Sequence, residues 1–176
     1  ELFQIDVPTL RRHAETILAL GERPRVRALV RADQFDRSVS VIVFVPRDRY
    51  TSDVRERVGL HLAQIYDGRV SAYYPHFPEG EMVRVHFIIG RNGGPTPRPL
   101  RAVLEAQVEE LVRTYADRLA AAAGRDISAW AQAFPPAYQG RHTAPDALSD
   151  IAILERLSDD ASLALKLVMR DGAEGP

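Results

Sequence analysis

Residues that could do chemistry are present in this chain, but their spacing does not assemble a catalytic site. The five histidines are His13, His61, His76, His86 and His142. None lies three or four residues from another, the spacing that places two imidazoles on one face of a helix around a metal ion. No cysteine is present to add a thiolate ligand. We therefore expect no metal site in this chain.

Two other segments have the composition of a functional site without its pattern. Residues 90–94 are rich in glycine and follow a predicted strand, as a phosphate-binding loop would. They lack both a Gly-x-Gly-x-x-Gly pattern and a closing Lys-Ser/Thr pair, so residues 90–99 are interpreted as a flexible connector. The acidic residues between 146 and 160 lie near the ends of a predicted helix, where carboxylates commonly cap the helix and keep its surface soluble. No catalytic residue and no bound cofactor are predicted.

Composition excludes several classes of partner. The net charge of −1 argues against a dedicated nucleic-acid-binding protein. No apolar run approaches the roughly 18 residues of a membrane span, so no membrane partner is expected. The lack of cysteine excludes disulfides and fits a reducing, cytoplasmic location.

Hydrophobic periodicity predicts a helix after Asp6 and Pro8, then strands over 25–31 and 38–45 joined as a hairpin. A second helix is expected to begin at Asp53, with Glu56 completing a capping box, and to stop at Gly68. Two more strands follow over 69–74 and 83–89. This order favours an α+β fold in which an antiparallel four-stranded sheet has helices on one face.

The chain after the fourth strand is predicted to be mainly helical. One long helix is predicted from Pro99 to Gly124, followed by short helices over 127–134 and 146–157. A final apolar run, 163–169, alternates like a strand but has no following partner. Because the chain also opens at Glu1 rather than methionine, we expect a piece of a longer polypeptide.

The face of the sheet turned away from the helices has the composition of an interface, since arginine is mixed with aromatic and aliphatic residues. The predicted interface residues are Arg25, Arg27, Leu29, Arg31, Ile42, Phe44, Tyr73, Arg84, His86 and Ile88. A solvated face covered by long arginine stems is the alternative. Stacking of single-stranded RNA on the sheet is a third interpretation, which lacks the aromatic-rich motif of RNA-recognition sheets.

A second candidate site lies at the start of the second helix. Arg47 and Arg49 offer positive charge beside the backbone N–H groups of Thr51, Ser52 and Asp53, which suits an amino-acid carboxylate. An ordinary helix cap is the alternative interpretation of the same residues.

Longer sequence segments resemble a known family. They are Ile17–Arg27, Asp36-Arg37 with Val43–Tyr50, Gly68–Pro75 and Val85–Arg91. Together they are similar to the N-terminal regulatory region of the large bacterial NAD-specific glutamate dehydrogenases, in which ACT-like domains precede the catalytic core. The similarity is strongest from Leu10 to Gly90 and continues more weakly through Phe134–Tyr138.

The resemblance implies a ferredoxin/ACT-like domain over 1–92, a helical extension and linker over 93–147, and the start of a following domain over 148–176. It implies a parent enzyme that uses NAD to deaminate glutamate, whereas this chain lacks the family's catalytic lysines and dinucleotide loop. The expected partners are other domains and subunits of that enzyme, with an amino-acid effector as the alternative. The helix at the front of the chain departs from the usual ACT order of strand, helix, two strands, helix, strand.

Overall fold

The computed structural model describes residues 5–157 and 163–166. The strands are β1 (Arg27–Ala32), β2 (Ser38–Pro46), β3 (Gly68–His76) and β4 (Met82–Arg91). They form one sheet in the order β1-β2-β4-β3, and all neighbours are antiparallel. The helices that accompany the sheet are α1 (Val7–Glu22), α2 (Ser52–Ile65) and α3 (Arg101–Val112).

The core lies between the sheet and helices α2 and α3. Alternate residues of the central strands, such as Val41 and Phe87, point to this side and are almost fully buried. They pack against Leu62 of α2 and Leu104 of α3. We call this side of the sheet the helix face and the opposite side the outer face. The α+β fold predicted from the sequence is confirmed.

The unusual element order is a permutation of the usual one. Starting at β2, the elements are strand, helix, two strands and helix, which is the ACT order without its last strand. Strand β1 supplies that missing strand, because it pairs with β2 at the edge of the sheet. The strand that usually comes last in the chain therefore comes first in this domain, while its place in the sheet is unchanged.

The helix at the start of the chain covers part of the outer face. Leu20 of α1 is buried against Leu29 and Phe44, with Ile42 and Met82 packed around them. The helices are thus not all on one side of the sheet. Asp6 caps α1 by accepting a hydrogen bond from the Thr9 backbone N–H, which agrees with the helix start predicted near Asp6 and Pro8.

Helix α2 begins earlier than predicted. Its N-cap is Thr51, whose hydroxyl accepts from the Val54 backbone N–H at 3.1 Å. The predicted cap at Asp53 is wrong, and that carboxylate instead lies 3.3 Å from Arg57 one turn later. Threonine in an extended conformation satisfies the first turn, so the Asp53–Glu56 capping box is not used.

The single long helix predicted from Pro99 to Gly124 is also wrong. Helix α3 ends at Val112, Arg113 is not helical (φ −58°, ψ 132°), and α4 (Tyr115–Ala123) begins after the extended Thr114. Thr114 and Asp117 form a reciprocal capping box, which gives a new helix start inside the apolar pattern. Gly124 ends α4 with φ 61°, the left-handed conformation expected of a stop residue.

The chain divides after Arg113 into two compact units. The second unit contains α4, α5 (Ser128–Ala131), α6 (Pro136–Gln139) and α7 (Ala144–Leu154). Its core contains Leu119 of α4, Phe134 and Ile151 of α7 in one buried cluster. The predicted terminal strand over 163–169 lies partly outside the described residues, and 163–166 have no regular secondary structure. The domain boundaries 1–92, 93–147 and 148–176 stay a prediction.

Candidate functional site

The outer face is the first candidate site. The strand register places Arg27, Leu29 and Arg31 of β1 beside Phe44, Ile42 and Ser40 of β2. On β4, Arg84, His86 and Ile88 continue the same rows. These positions agree with the sequence-based assignment, because residues two apart on a strand share a face.

The β1–β2 half of this face is largely taken up by contacts within the chain. Leu29 and Phe44 are buried under α1. Arg27 turns around the sheet edge, and its Nη1 lies 2.8 Å from Glu105 Oε2 of α3. Arg25 precedes β1 and is exposed. This half therefore serves mainly the fold of the domain.

The β3–β4 half is more exposed. Arg84, Tyr74 and His76 are solvent-exposed, and Tyr74 is 60% accessible. His86 Nε2 lies 2.7 Å from Ser40 Oγ, and its ring is 6.2 Å from that of Tyr74. We call this area, formed by Ala72, Tyr74, His76, Arg84, His86 and Ile88, the open patch.

Tyr73 does not belong to the outer face, where the sequence placed it. An irregularity between Val70 and Ala72 shifts the register of β3, so that Tyr73 pairs with Phe87 and Tyr74 with His86. Tyr73 therefore points to the helix face, where the Arg55 guanidinium lies 4.2 Å from its ring centroid. Simple alternation counted from the start of β3 misses this extra residue.

The residues of the second candidate site, near the start of α2, do not form one site in the structure, because the arginines and the first residues of α2 make separate contacts. Arg47 Nε donates to the Gly80 carbonyl at 3.0 Å, and its Nη2 also donates to the Pro78 carbonyl. Arg49 Nε lies 3.9 Å from Asp48. The guanidinium of Arg47 thus holds the β3–β4 turn, a role that its position after Pro46 did not indicate.

A cleft of about 740 Å³ lies beside these arginines. It is lined by Arg25, Arg47 and Arg49 together with Glu81 and Glu109. Thr51, Ser52 and Asp53 are not among its lining residues, and the Thr51 hydroxyl is used as the cap of α2. Effector binding by this group of residues stays a prediction.

In the second unit, the structure singles out Asp150 from the acidic residues of the sequence. Lys166 Nζ donates to its Oδ1 at 2.6 Å, and the Tyr138 hydroxyl donates to Oδ2. Burial opposes ionisation of Asp150, but the hydrogen bonds from Lys166 and Tyr138 outweigh it and lower its pKa. Burial and the Asp150 carboxylate together raise the pKa of Tyr138. We interpret Asp150, Lys166 and Tyr138 as a network that stabilises the fold, in which Asp150 is the anion and Lys166 the cation.

The network predicts acid sensitivity of the second unit. Because the pKa of Asp150 is lower in the folded chain than its ordinary 3.8, its contribution is fully present above about pH 4 and is lost as the pH falls through the folded value. We expect Asp150→Asn to lower the free energy of unfolding at pH 7 and to reduce its dependence on pH below 4. Urea denaturation between pH 2.5 and 7 measures this.

The control for that experiment is Glu79→Gln, which removes an exposed carboxylate of the first unit. A pH dependence of Asp150→Asn that equals that of the unsubstituted chain would contradict the assignment.

Among the described residues, no group of three or more His, Cys, Asp or Glu side chains is arranged to hold a metal ion. No helix in the described part of the chain is long and apolar enough to cross a membrane.

The matches to known families cover the sheet and the helices that follow it. The model of the family described as glutamate dehydrogenase, ACT2 domain, matches residues 27–116, from the first residue of β1 to the beginning of α4. The chain belongs to this ACT2 domain family. A second model, glutamate dehydrogenase, helical motif 2, matches residues 110–157 of the helical part.

Curated relatives of this ACT2-domain chain are named NAD-specific glutamate dehydrogenase. The relative from Mycobacterium tuberculosis is 33% identical over 193 aligned positions, and that from Halomonas elongata is 32% identical over 185. Each alignment includes 99% of this chain but only 12% and 11% of the respective relative. The Pseudomonas aeruginosa relative is 26% identical, with 94% of this chain and 11% of the relative covered. The resemblance seen in the sequence is confirmed, and the chain spans about a tenth of these proteins.

Proposed function

We propose that this ACT2-domain chain is a non-catalytic regulatory and assembly module of an NAD-dependent glutamate dehydrogenase. The parent reaction converts glutamate, NAD and water to 2-oxoglutarate, ammonia and NADH in the cytoplasm. NAD binds elsewhere in the parent polypeptide. The partners of the module are other domains and subunits of the same enzyme.

The open patch is the observation that supports this proposal. It brings an exposed tyrosine and arginine beside the half-buried Ile88 and His86 on two paired strands of the sheet. Tyrosine and arginine are the residues that most often dominate binding energy in protein interfaces. A surface of this kind transmits regulation when its contacts differ between two states of the assembly, since only such differences shift an equilibrium.

Adjacent tyrosines of β3 provide the test. Tyr74 lies on the open patch, and we expect Tyr74→Glu in the full-length enzyme to weaken subunit or domain association. A buried interface aromatic is worth about 1–2 kcal/mol or more, which corresponds to at least a fivefold change in the dissociation constant. Sedimentation velocity over a range of concentrations measures assembly, and steady-state kinetics measure the response to glutamate.

Tyr73→Glu is the matched control, because Tyr73 is the preceding residue and is 43% accessible but points to the helix face. We expect it to leave assembly and kinetics unchanged. If both variants behave like the unsubstituted enzyme, or if both lose assembly equally, the open patch is not the contact surface.

A further inference from the structure

A cavity of about 750 Å³ lies along the free edge of β1, within the first unit. Its walls come from α1, from β1, and from the segment that connects β4 to α3. The polar residues that line it are Thr9, Arg12, His13, Tyr66, Thr96, Arg98 and Arg101. We call it the edge cavity. It is separate from the open patch, which lies at the other end of the sheet order.

The edge cavity is positively charged. Arg12, Arg98 and Arg101 line it, and no carboxylate is among its described lining residues. Glu105 of α3 is outside that lining and places its Oε1 3.7 Å from Arg101 Nε, so one carboxylate offsets the charge of the three arginines only in part. Arg101 is also the first residue of α3, whose N-terminus has no side-chain cap. The backbone N–H groups of an uncapped first turn add partial positive charge at the same place.

The connecting segment is held in place rather than flexible, which corrects the sequence-based interpretation of 90–99. Arg91 Nη1 donates to the Gly94 carbonyl at 2.8 Å, and its Nη2 donates to the Gly93 carbonyl at 2.9 Å. The Thr96 backbone N–H donates to Asp36 Oδ1 at 3.0 Å. These bonds fix the chain just before Arg98, so the wall that carries this arginine is part of the folded domain.

A buried tyrosine is also among the residues that line the edge cavity. Tyr66 is fully buried, and its hydroxyl has no hydrogen-bond partner among the described residues. Burial raises its pKa to about 12, so the group is a neutral O–H donor at physiological pH. Buried polar groups are nearly always hydrogen-bonded in native proteins, and an unpaired donor beside a polar cavity points to a ligand oxygen.

His13 reports the same electrostatic environment. Burial lowers its pKa, and the positive charges of Arg12 on the same helix and Arg31 on β1 lower it further, whereas Asp6 at the start of α1 opposes this. An anion bound beside His13 would favour the imidazolium form and raise that pKa.

We propose that the edge cavity binds a small anion through a phosphate or carboxylate group, which is held by Arg98, Arg101 and the N-terminus of α3 and accepts a hydrogen bond from Tyr66. Planar guanidinium groups match the oxygen geometry of both anions. The inference goes beyond the proposed assembly role, because it concerns a different surface and a small ligand.

Calorimetric titration of the intact parent polypeptide with inorganic phosphate, and separately with succinate, tests the proposal at constant ionic strength. We expect Arg98→Ala combined with Arg101→Ala to raise the dissociation constant at least tenfold for the anion that binds. The two titrations distinguish a phosphate from a carboxylate site. Comparison with the unsubstituted protein removes the contribution of anion sites elsewhere in the polypeptide.

Arg69→Ala is the matched control, because Arg69 is an exposed arginine on β3 outside the edge cavity. It should change the dissociation constant by less than about twofold. Tyr66→Phe should raise the constant about fivefold while the variant stays folded, as judged by its melting temperature. Binding should also take up protons near pH 6.5, measured as a dependence of the heat on the buffer.

The proposal is overturned if the double arginine variant binds both anions as the unsubstituted protein does, or if Arg69→Ala weakens binding equally. It is also overturned if Tyr66→Phe raises the melting temperature and leaves anion binding unchanged, since the hydroxyl would then be only an unpaired core group. Failure of the Tyr74 experiment would not affect these outcomes.

Discussion

Replacing Phe87 with alanine is expected to lower the free energy of unfolding of the first unit by about 3–5 kcal/mol. Phe87 is on the central strand β4 and is 1% accessible. Its ring fills the space over Gly59 of α2, where an added Cβ would lie 3.2 Å from the Phe87 ring. Truncation removes apolar contacts and leaves a cavity that a helix and a central strand cannot readily close. Urea denaturation followed by circular dichroism measures the change.

Phe77→Ala is the control for this prediction, since Phe77 is the same residue type on the same hairpin but is 54% accessible. It makes an edge-on contact with Tyr50, with ring centroids 5.4 Å apart. We expect a loss of about 1 kcal/mol. Similar losses for Phe77→Ala and Phe87→Ala would show that α2 does not pack over Phe87 as the structure indicates.

Glu105→Ala is expected to destabilise the same unit by about 3–5 kcal/mol, because it leaves a buried charge without its partner. Glu105 Oε2 accepts from Arg27 Nη1 at 2.8 Å, and Oε1 accepts from the Ala28 backbone N–H at 3.2 Å. The side chains of Arg27 and Glu105 are only 15% and 11% accessible. One carboxylate therefore both neutralises Arg27 and covers an unpaired donor on the edge of β1.

The ion pair formed by Glu110 and Arg113 is the control, since it has a similar distance of 2.9 Å but is exposed. Glu110→Ala should cost less than about 1 kcal/mol. A double variant, Arg27→Met with Glu105→Leu, should recover much of the stability lost in Glu105→Ala, because neither charge is then buried alone. If Glu105→Ala costs no more than Glu110→Ala, the pair does not anchor β1.

The Glu105 contact has a consequence for the permuted order of the domain. Strand β1 is the first strand in the chain, but it is fastened by a helix 77 residues later. The sheet edge is therefore complete only when α3 has docked on the helix face. Closing a loop of this length costs conformational entropy before the contact is gained, so we expect β1 to depend on the rest of the domain.

The sequence was a good guide to elements that local patterns specify. Alternating valines from Val39 to Val45 identified β2 and its buried side, and Gly124 identified the end of α4. At two helix starts the sequence contains more than one local signal, and at both of them the predicted start of the helix was wrong. Thr51 and Asp53 are both good caps, and the Thr114–Asp117 box lies inside an apolar repeat that alone favours one continuous helix.

The outcome of the interface prediction depended on both the local sequence pattern and the tertiary structure. Alternation placed most of its residues on the outer face correctly, because a strand's side-chain period is fixed by its backbone geometry. Alternation does not report a register irregularity, so Tyr73 was assigned in place of Tyr74. It also does not report which part of a face another element covers, so the burial of Leu29 and Phe44 under α1 was missed.

The sequence by itself determined the strand and helix types of the first domain, the apolar sides of β1, β2 and β4, and the ACT-like family, because these follow from local periodicity and from long stretches of similar residues. Only the tertiary structure decided that β1 closes the sheet at its edge, that Arg47 and Arg91 hold loops, and that Tyr66 lies in the wall of a cavity with three arginines. These features depend on contacts between residues distant in the chain, which obey packing and hydrogen-bond geometry and leave no periodic trace in the sequence.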